Sequence, residues 1–236
     1  MEKALRADSA NPLYRQLMQR IRADIASGMY PVQTRIPSEA ELGEIYQVSR
    51  VTVRKALAEL TGEGLLRRMQ GKGTYVCAPR LKSNLREITS FHESCRMMGC
   101  KPGAKVISAQ VIQADHDLRE KLALTSDEAV EIVRLRTADG EPVMLETNRF
   151  SMKYAFLLTG DQAGSLYHQL GQQGIEAADG THEISLCYAT AQQAKLLEVE
   201  IGTALLMLDQ VIYDQHGIPL HTSHQVIRGD RFTFRI

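Results

Sequence analysis

Residues 131–150 read EIVRLRTADGEPVMLETNRF and set two guanidiniums, Arg134 and Arg136, at alternate positions. Alternation of apolar and polar residues on both sides of Asp139-Gly140 predicts a β-hairpin. Side chains alternate between faces along a strand. Ile132, Arg134 and Arg136 therefore share one face, and Val133 and Leu135 the other. On a solvated strand such a pair adds only solubility. In a pocket it grips an anion, because the planar guanidinium presents forked N–H donors to carboxylate or phosphate oxygens. The hairpin by itself leaves both readings open.

The chain that must position this pair has 236 residues, which suits one or two domains. Its 44% hydrophobic and 24% charged residues are ordinary for a globular protein. No apolar run of about 18 residues is present to span a membrane. The opening MEKALRADSANP lacks the apolar core of a secretory signal, so a cytoplasmic protein is expected. Four cysteines (Cys77, Cys95, Cys100 and Cys187) show no CxxC spacing and are expected as reduced thiols. For Cys95 and Cys100, a redox or metal pair is the alternative to buried helix residues.

The net charge of zero hides an asymmetry. Residues 1–82 carry 14 Lys+Arg against 8 Asp+Glu, a balance of +6, and residues 83–236 carry 14 against 20, a balance of −6. A basic front and an acidic back point to two domains with different partners.

In the front part, Asn11-Pro12 predicts a helix start. Leu13, Leu17, Ile21 and Ile25 form one apolar stripe, ended by Gly28. Ser38 opens a second helix, SEAELGEIY, and its spacing to Glu41 is that of a capping box. Ser49 caps a third, in which Val53, Ala56, Leu57 and Leu60 face inward until Gly64. Arg50, Thr52, Arg54 and Lys55 are left on the outside of its first turns. A helix whose N-terminal end carries polar and cationic residues, set behind a short helix and a tight turn, is the helix-turn-helix pattern. Such an end reaches base edges, where Arg suits guanine O6/N7. LLRRMQGKGTYV then predicts a hairpin tipped by Gly71, Lys72 and Gly73, a wing able to approach a phosphate backbone or minor groove.

The segments IPSEAEL, VSRVTVRKALAELTGEGLL and RMQGKGTYV closely resemble the winged-helix domain of GntR-type bacterial transcription regulators. The resemblance implies double-stranded operator DNA as a partner. It implies that Arg50 and Arg54 read bases, that Ser38, Ser49 and Thr52 help hold phosphates, and that the Gly71–Gly73 tip enters the minor groove. Many members carry Arg where this chain has Ala40; Arg35 lies near in sequence.

The back part predicts a helix over TSFHESCRMMG, capped by Thr89 or Ser90, then a strand over AKVISAQVIQA, a helix over HDLREKLAL, and the opening hairpin. A second copy of the helix-hairpin unit follows in AKLLEVEIGTALLMLDQVIYDQHGIPLHTS, with Gly217-x-Pro219 matching Gly140-x-Pro142. The repeat predicts two pseudo-symmetric hairpins in one antiparallel sheet with helices on one side, an α+β domain. Counting back from each glycine, Val211 and Tyr213 stand where the first copy has its arginines. His221 and His224 fall on opposite faces of a strand, so no joint metal site is expected.

TSFHE, GCKPGAKVIS, VRLRTADGEPVMLE, GSLYHQL and VIRGDRF resemble the UTRA effector domain of the HutC subgroup, which has a chorismate-lyase-like fold. The resemblance implies an effector phosphate held by Thr89, Ser90, Arg134, Arg136 and Ser165. Glu146 would then meet sugar hydroxyls or an amine, with Phe91, Tyr167 and Glu183 as walls. Many relatives have a carboxylate where this chain has His221, which implies an effector other than their amino-sugar phosphates.

The expected organisation is a winged helix-turn-helix over residues 1–76, a linker over 77–88, and an effector-binding and dimerisation domain over 89–236. The expected function is a homodimeric, cytoplasmic repressor of a catabolic or uptake operon. A phosphorylated sugar or sugar derivative would release it from a palindromic operator. No cofactor, metal, membrane or enzymatic activity is expected. The alternatives are an organic-acid effector, a protein partner in place of a ligand, and an enzyme on the lyase-like fold.

Overall fold

The computed structural model describes residues 5, 11–69, 71–77, 81–84 and 87–235, with the backbone alone at 82, 83 and 235. Packing divides the chain into two units, Met1–Arg80 and Leu81–Ile236. Of the stretch read as a linker, residues 78–80, 85 and 86 lie outside the described residues, and Leu81–Asn84 form a strand. No described helix is long and apolar enough to cross a membrane.

In the first unit α1 (Leu13–Ala26) buries Leu17, Met18 and Ile21. Its cap position is Pro12 rather than Asn11. α2 (Glu39–Tyr46) starts with the expected capping box: Ser38 Oγ accepts from the Glu41 N–H at 3.3 Å, and the Ser38 N–H donates to Glu41 Oε2 at 2.7 Å. It stops at Gln47, left-handed at φ 54. α3 (Arg50–Gly62) follows, capped by Ser49 Oγ, which accepts from the Thr52 N–H at 3.2 Å. Val53, Ala56, Leu57 and Leu60 pack inward against Leu17, Ile21, Ile36 and Leu42. β1 (Leu66–Met69) and β2 (Gly73–Val76) form the antiparallel wing, with Met69 opposite Gly73. Gly73 sits at φ +111, and a Cβ there would come 2.7 Å from Arg35 Nε. Arg35 lies against the wing, bridging to Tyr75.

The second unit runs β3 (Leu81–Asn84), α4 (Phe91–Met97), β4 (Pro102–Gln113), α5 (His116–Lys121), β5 (Glu128–Ala138) and β6 (Glu141–Ser151). A 3-10 segment (Met152–Leu158), α6 (Leu166–Gln172), β7 (Ala177–Tyr188), α7 (Ala191–Leu197), β8 (Ala204–Asp214), β9 (Pro219–Ile227) and β10 (Phe232–Arg235) complete it. β3 and β10 pair in parallel. The other strands form one antiparallel sheet in the order β4-β5-β6-β9-β8-β7. Each half repeats strand, helix, hairpin, and the halves meet at β6–β9. The repeat expected from the sequence is thus present and longer than read, taking in β4 and β7.

Two details differ from expectation. Helices lie on both faces, not one. Even-numbered β5 residues Val130 and Ile132 pack with α6 and the 3-10 segment, while odd-numbered Leu135 packs with Ala194 and Leu197 of α7. A sheet apolar on both faces needs cover on both. The second difference is a register shift. The first hairpin turns on Asp139-Gly140, both at positive φ (52 and 85), as a type I′ turn requires. In the second, the Asp214 N–H bonds the Ile218 carbonyl, leaving Gln215, His216 and Gly217 in the loop. That extra residue displaces any count back from the glycine. Thr137 pairs with Pro142 as Tyr213 pairs with Pro219, so the true counterparts of Arg134 and Arg136 are Gln210 and Ile212, not Val211 and Tyr213.

Leu57, 1% exposed, sits at the centre of the first unit's core. Leu57→Ala is expected to destabilise that unit by about 2–5 kcal/mol and to leave the second unit's transition in place. Calorimetry of the full chain reads both, and an equal shift in the two would show that they unfold as one.

Candidate functional site

The first unit offers a cationic helix end. Arg50, Arg54 and Lys55 are exposed at the start of α3, and Val53 and Ala56 beside them are buried. The Ser49 and Thr52 hydroxyls bond each other at 2.9 Å. Glu39 accepts from Arg54 Nε at 3.4 Å and from Arg68 Nη2 at 2.5 Å, linking α2, α3 and the wing. Lys55 lies 4.1 Å from the centre of the Tyr14 ring on α1. Lys72 and Gly71 stand exposed at the wing tip, beside Gly73; Gln70 lies outside the described residues.

The second unit holds a cavity of about 850 Å³, its mouth included, between the even face of β5 and the elements that cover it. Arg134 and Arg136 project into its wall, 4% and 1% exposed. Across the hairpin, Arg134 pairs with Glu146 in register, and its Nη2 donates to Glu146 Oε2 at 2.6 Å. Its Nη1 donates to the Gly164 carbonyl at 3.0 Å. Arg136 Nε lies 3.9 Å from the same carboxylate oxygen, its Nη2 donates to His92 Nδ1 at 2.9 Å, and its guanidinium lies 4.5 Å from the Phe91 ring centre. Arg134 Nε, Arg136 Nε and Arg136 Nη1 are buried without a hydrogen-bond acceptor, and so is Asn148 Nδ2.

Burial dominates the electrostatics. It would push the Glu146 carboxyl up, but Arg134 and Arg136 overcome it and hold the group below the ordinary carboxylate range. Burial lowers the Arg136 guanidinium to about 10 against the support of Glu146, so the group stays charged at neutral pH. Burial, then the charge of Arg136, lowers His92 to about 4. Burial lowers His221 to about 4 as well. His221 Nδ1 donates to the Thr222 carbonyl at 3.1 Å, and its Nε2 accepts from the Tyr167 hydroxyl at 3.0 Å. At neutral pH the buried charge of this wall is therefore two guanidiniums and one carboxylate.

Thr89, Ser90, Phe91, Ser165, Tyr167 and His221 all reach this cavity with the arginines and Glu146. Ser90 and Ser165 do so as helix caps: Ser90 is tied to Glu93 in a capping box, and Ser165 Oγ accepts from the His168 N–H at 3.2 Å. Glu183 does not reach it. On β7 it is exposed and pairs with Asp209, while its neighbour His182 lines the cavity. His182, Asn148, Gln210 and Gln225 were not picked out in the sequence, where lone polar residues inside apolar strands carry no motif. Strand alternation joined to the corrected register would have found Gln210. His221 lines the cavity and His224 instead bonds Asp209 at 2.7 Å, so the two do lie apart. No cluster of His, Cys, Asp or Glu fit for a metal occurs among the described residues.

Known proteins match both units. The model for bacterial regulatory proteins of the gntR family matches residues 13–76, and that for the UTRA domain matches residues 97–233. The HTH-type transcriptional repressor NagR of Bacillus subtilis is 31% identical over 226 residues, 94% of this chain and 93% of that protein. A probable fructoselysine utilization operon transcriptional repressor of Escherichia coli is 32% identical over 228 residues, covering 95% and 93%. The crystal structure of PhnF from Mycobacterium smegmatis aligns with 95% of this chain and 97% of its own, at TM-score 0.68 and 28% identity.

His221 generates a pH prediction. Its folded value of about 4 lies below the unfolded value of about 6.5. As pH falls from 6.5 towards 4, the unfolded chain takes up a proton that the fold refuses. Stability is then full above about 6.5 and declines below it, by up to about 1.4 kcal/mol per pH unit from this residue. His92 acts in the same window. Denaturant titrations of His221→Gln across that range are expected to show a shallower slope, and an unchanged slope would mean that His221 is protonated in the fold.

Proposed function

The chain belongs to the gntR family of bacterial regulatory proteins, as a HutC-type transcriptional repressor with a UTRA domain, and from this we propose that a small anionic effector controls its hold on DNA. Its relatives are regulators, and it is a regulator rather than an enzyme. In our reading, residues 1–76 bind DNA, 89–236 bind effector and form a homodimer, and the link between them is shorter than 77–88, because Leu81–Asn84 pair with β10. A two-fold dimer meets a palindromic operator. Arg50 and Arg54 contact bases; Ser38, Ser49, Thr52, Lys55 and Arg35 face the phosphate backbone; Gly71, Lys72 and Gly73 approach the minor groove. The operon is catabolic or concerned with uptake, and the protein works in the cytoplasm, where its DNA is.

The observation that carries the effector reading is the set of three guanidinium nitrogens on Arg134 and Arg136 that are buried without an acceptor. Each buried unmet donor costs about 1–3 kcal/mol. A phosphate oxygen would meet them and balance the spare positive charge left by Glu146. A phosphorylated sugar derivative fits, and the fructoselysine operon named for one relative is in keeping with it. A non-phosphorylated organic acid is the second reading, favoured by the single net charge of the Arg134, Arg136 and Glu146 trio. Either ligand acts only through different affinities for the DNA-competent and DNA-incompetent states.

Fluorescence anisotropy with operator DNA tests this. Hexose 6-phosphates are expected to release the DNA and the parent hexoses to leave it bound; release by carboxylates alone would favour the second reading. Arg134→Ala should lose the response and keep near wild-type DNA affinity. Arg54→Ala should weaken operator binding by about 1–3 kcal/mol and keep the effector-induced thermal shift. An unchanged operator affinity would sink the placement of the reading helix.

A further inference from the structure

The cavity has a second half with different chemistry. Registers across the sheet set Arg134 beside Glu146, then Gln225, Leu208 and Ile184. The next rung sets Ile132 beside Asn148, then Ser223, Gln210 and His182. Charge is confined to β5 and β6. From β9 to β7 these rungs offer only amides, a hydroxyl and an imidazole. Strands lie about 4.8 Å apart, so Gln225 and Gln210 stand roughly 10 and 14 Å from the backbone of the arginine strand. A bare phosphate on the arginines would not reach them.

These groups form a ladder. Gln210 Nε2 donates to His182 Nδ1 at 2.7 Å. Gln225 Nε2 donates to Gln210 Oε1 and to Ser223 Oγ, both at 2.9 Å. Asn148, 3% exposed, stands at the junction of the two halves, and its Nδ2 has no acceptor. His221 stands one rung on, opposite Phe150 of β6, locked by the Thr222 carbonyl and the Tyr167 hydroxyl. The cavity's buried carboxylate, Glu146, is already held by Arg134 at 2.6 Å, and the exposed Glu87 accepts from Asn84 at 2.9 Å. Among the described residues, an ammonium group entering here would find no free buried carboxylate, and a second anion no free cation.

We propose that Asn148, Gln225, Gln210 and His182 form a subsite for an uncharged hydroxyl-bearing group, so that the effector is a phosphate ester whose far end is a neutral polyol, not an amine or a second acid. This rests on the anion reading of the arginine pair and adds the identity of the other end. It also gives the pseudo-symmetry a chemical sense: Arg134 in one half corresponds to Gln210 in the other, anion grip against neutral hydrogen bonding.

Calorimetric titration of the full chain with glucose 6-phosphate, glucosamine 6-phosphate and inorganic phosphate tests it. Glucose 6-phosphate is expected to bind at least about tenfold tighter than the protonated amino ester, since an unpaired buried cation is costly, and tighter than inorganic phosphate. Asn148→Asp should narrow or reverse the preference. Gln210→Glu, at a less buried position, should shift it the same way and stands in if the first variant does not fold. Equal or tighter binding of glucosamine 6-phosphate by the wild type would overturn the neutral subsite and leave the anion reading standing. So would inorganic phosphate binding as tightly as the esters. Binding of none of the three would overturn the phosphate reading of the arginine pair, and the subsite with it.

Discussion

The second unit depends on keeping two guanidiniums and a carboxylate inside a sheet. Moving each ion out of water costs several kcal/mol, and the attraction of Arg134 for Glu146 at 2.6 Å offsets part of that. Pairing in register across one hairpin fixes their geometry without any loop having to order itself. The surroundings then serve the trio. Phe91 lies under Arg136, His92 gives up its own proton affinity to accept from it, and the carbonyl of Gly164 takes an N–H of Arg134. What stays unmet is one net charge and three donors, and this residue of imbalance is what a ligand can act on.

One scaffold used twice explains how the cavity is two-ended. The two hairpins share strand order, the proline on the return strand and the bulge beside it, but differ by one residue in the turn. That residue decides which side chains of β8 face the cavity. With a two-residue turn, Val211 would have replaced Gln210 and the ladder of amides would not exist. The physical lever is the period of two along a strand, where a slip of one moves every side chain to the other face.

The first unit's helix starts rest on hydroxyl caps. Ser38 and Ser49 cap the N-terminal ends of α2 and α3, Ser38 half-buried and Ser49 exposed. The cationic end of α3 is held open by the core beneath it, and Glu39 ties Arg54 to the wing strand through Arg68. That carboxylate was not read from the sequence, because its two partners lie 15 and 29 positions away.

Much was legible in the sequence because it is local. Caps at Ser38, Ser49 and Ser90, the stripe of α1, the Asp139-Gly140 turn and the alternation around Arg134 and Arg136 all rest on residues within a few positions of each other, and the resemblance of both halves to known regulators rests on such runs. The cavity's composition was legible only in part. Thr89, Ser90, Ser165, Tyr167 and His221 were placed by resemblance, and Glu183 was placed wrongly, since a motif does not say which of two adjacent strand residues turns inward. Asn148, Gln225 and His182 carried no motif, and Gln210 needed the corrected register. The sequence by itself determined the elements, the two-unit order and the arginine pair, because short-range sterics and hydrogen bonding decide those. Only the tertiary structure decided what stands opposite the arginines, because register between strands distant in sequence is set by turn length and by packing on both faces of the sheet.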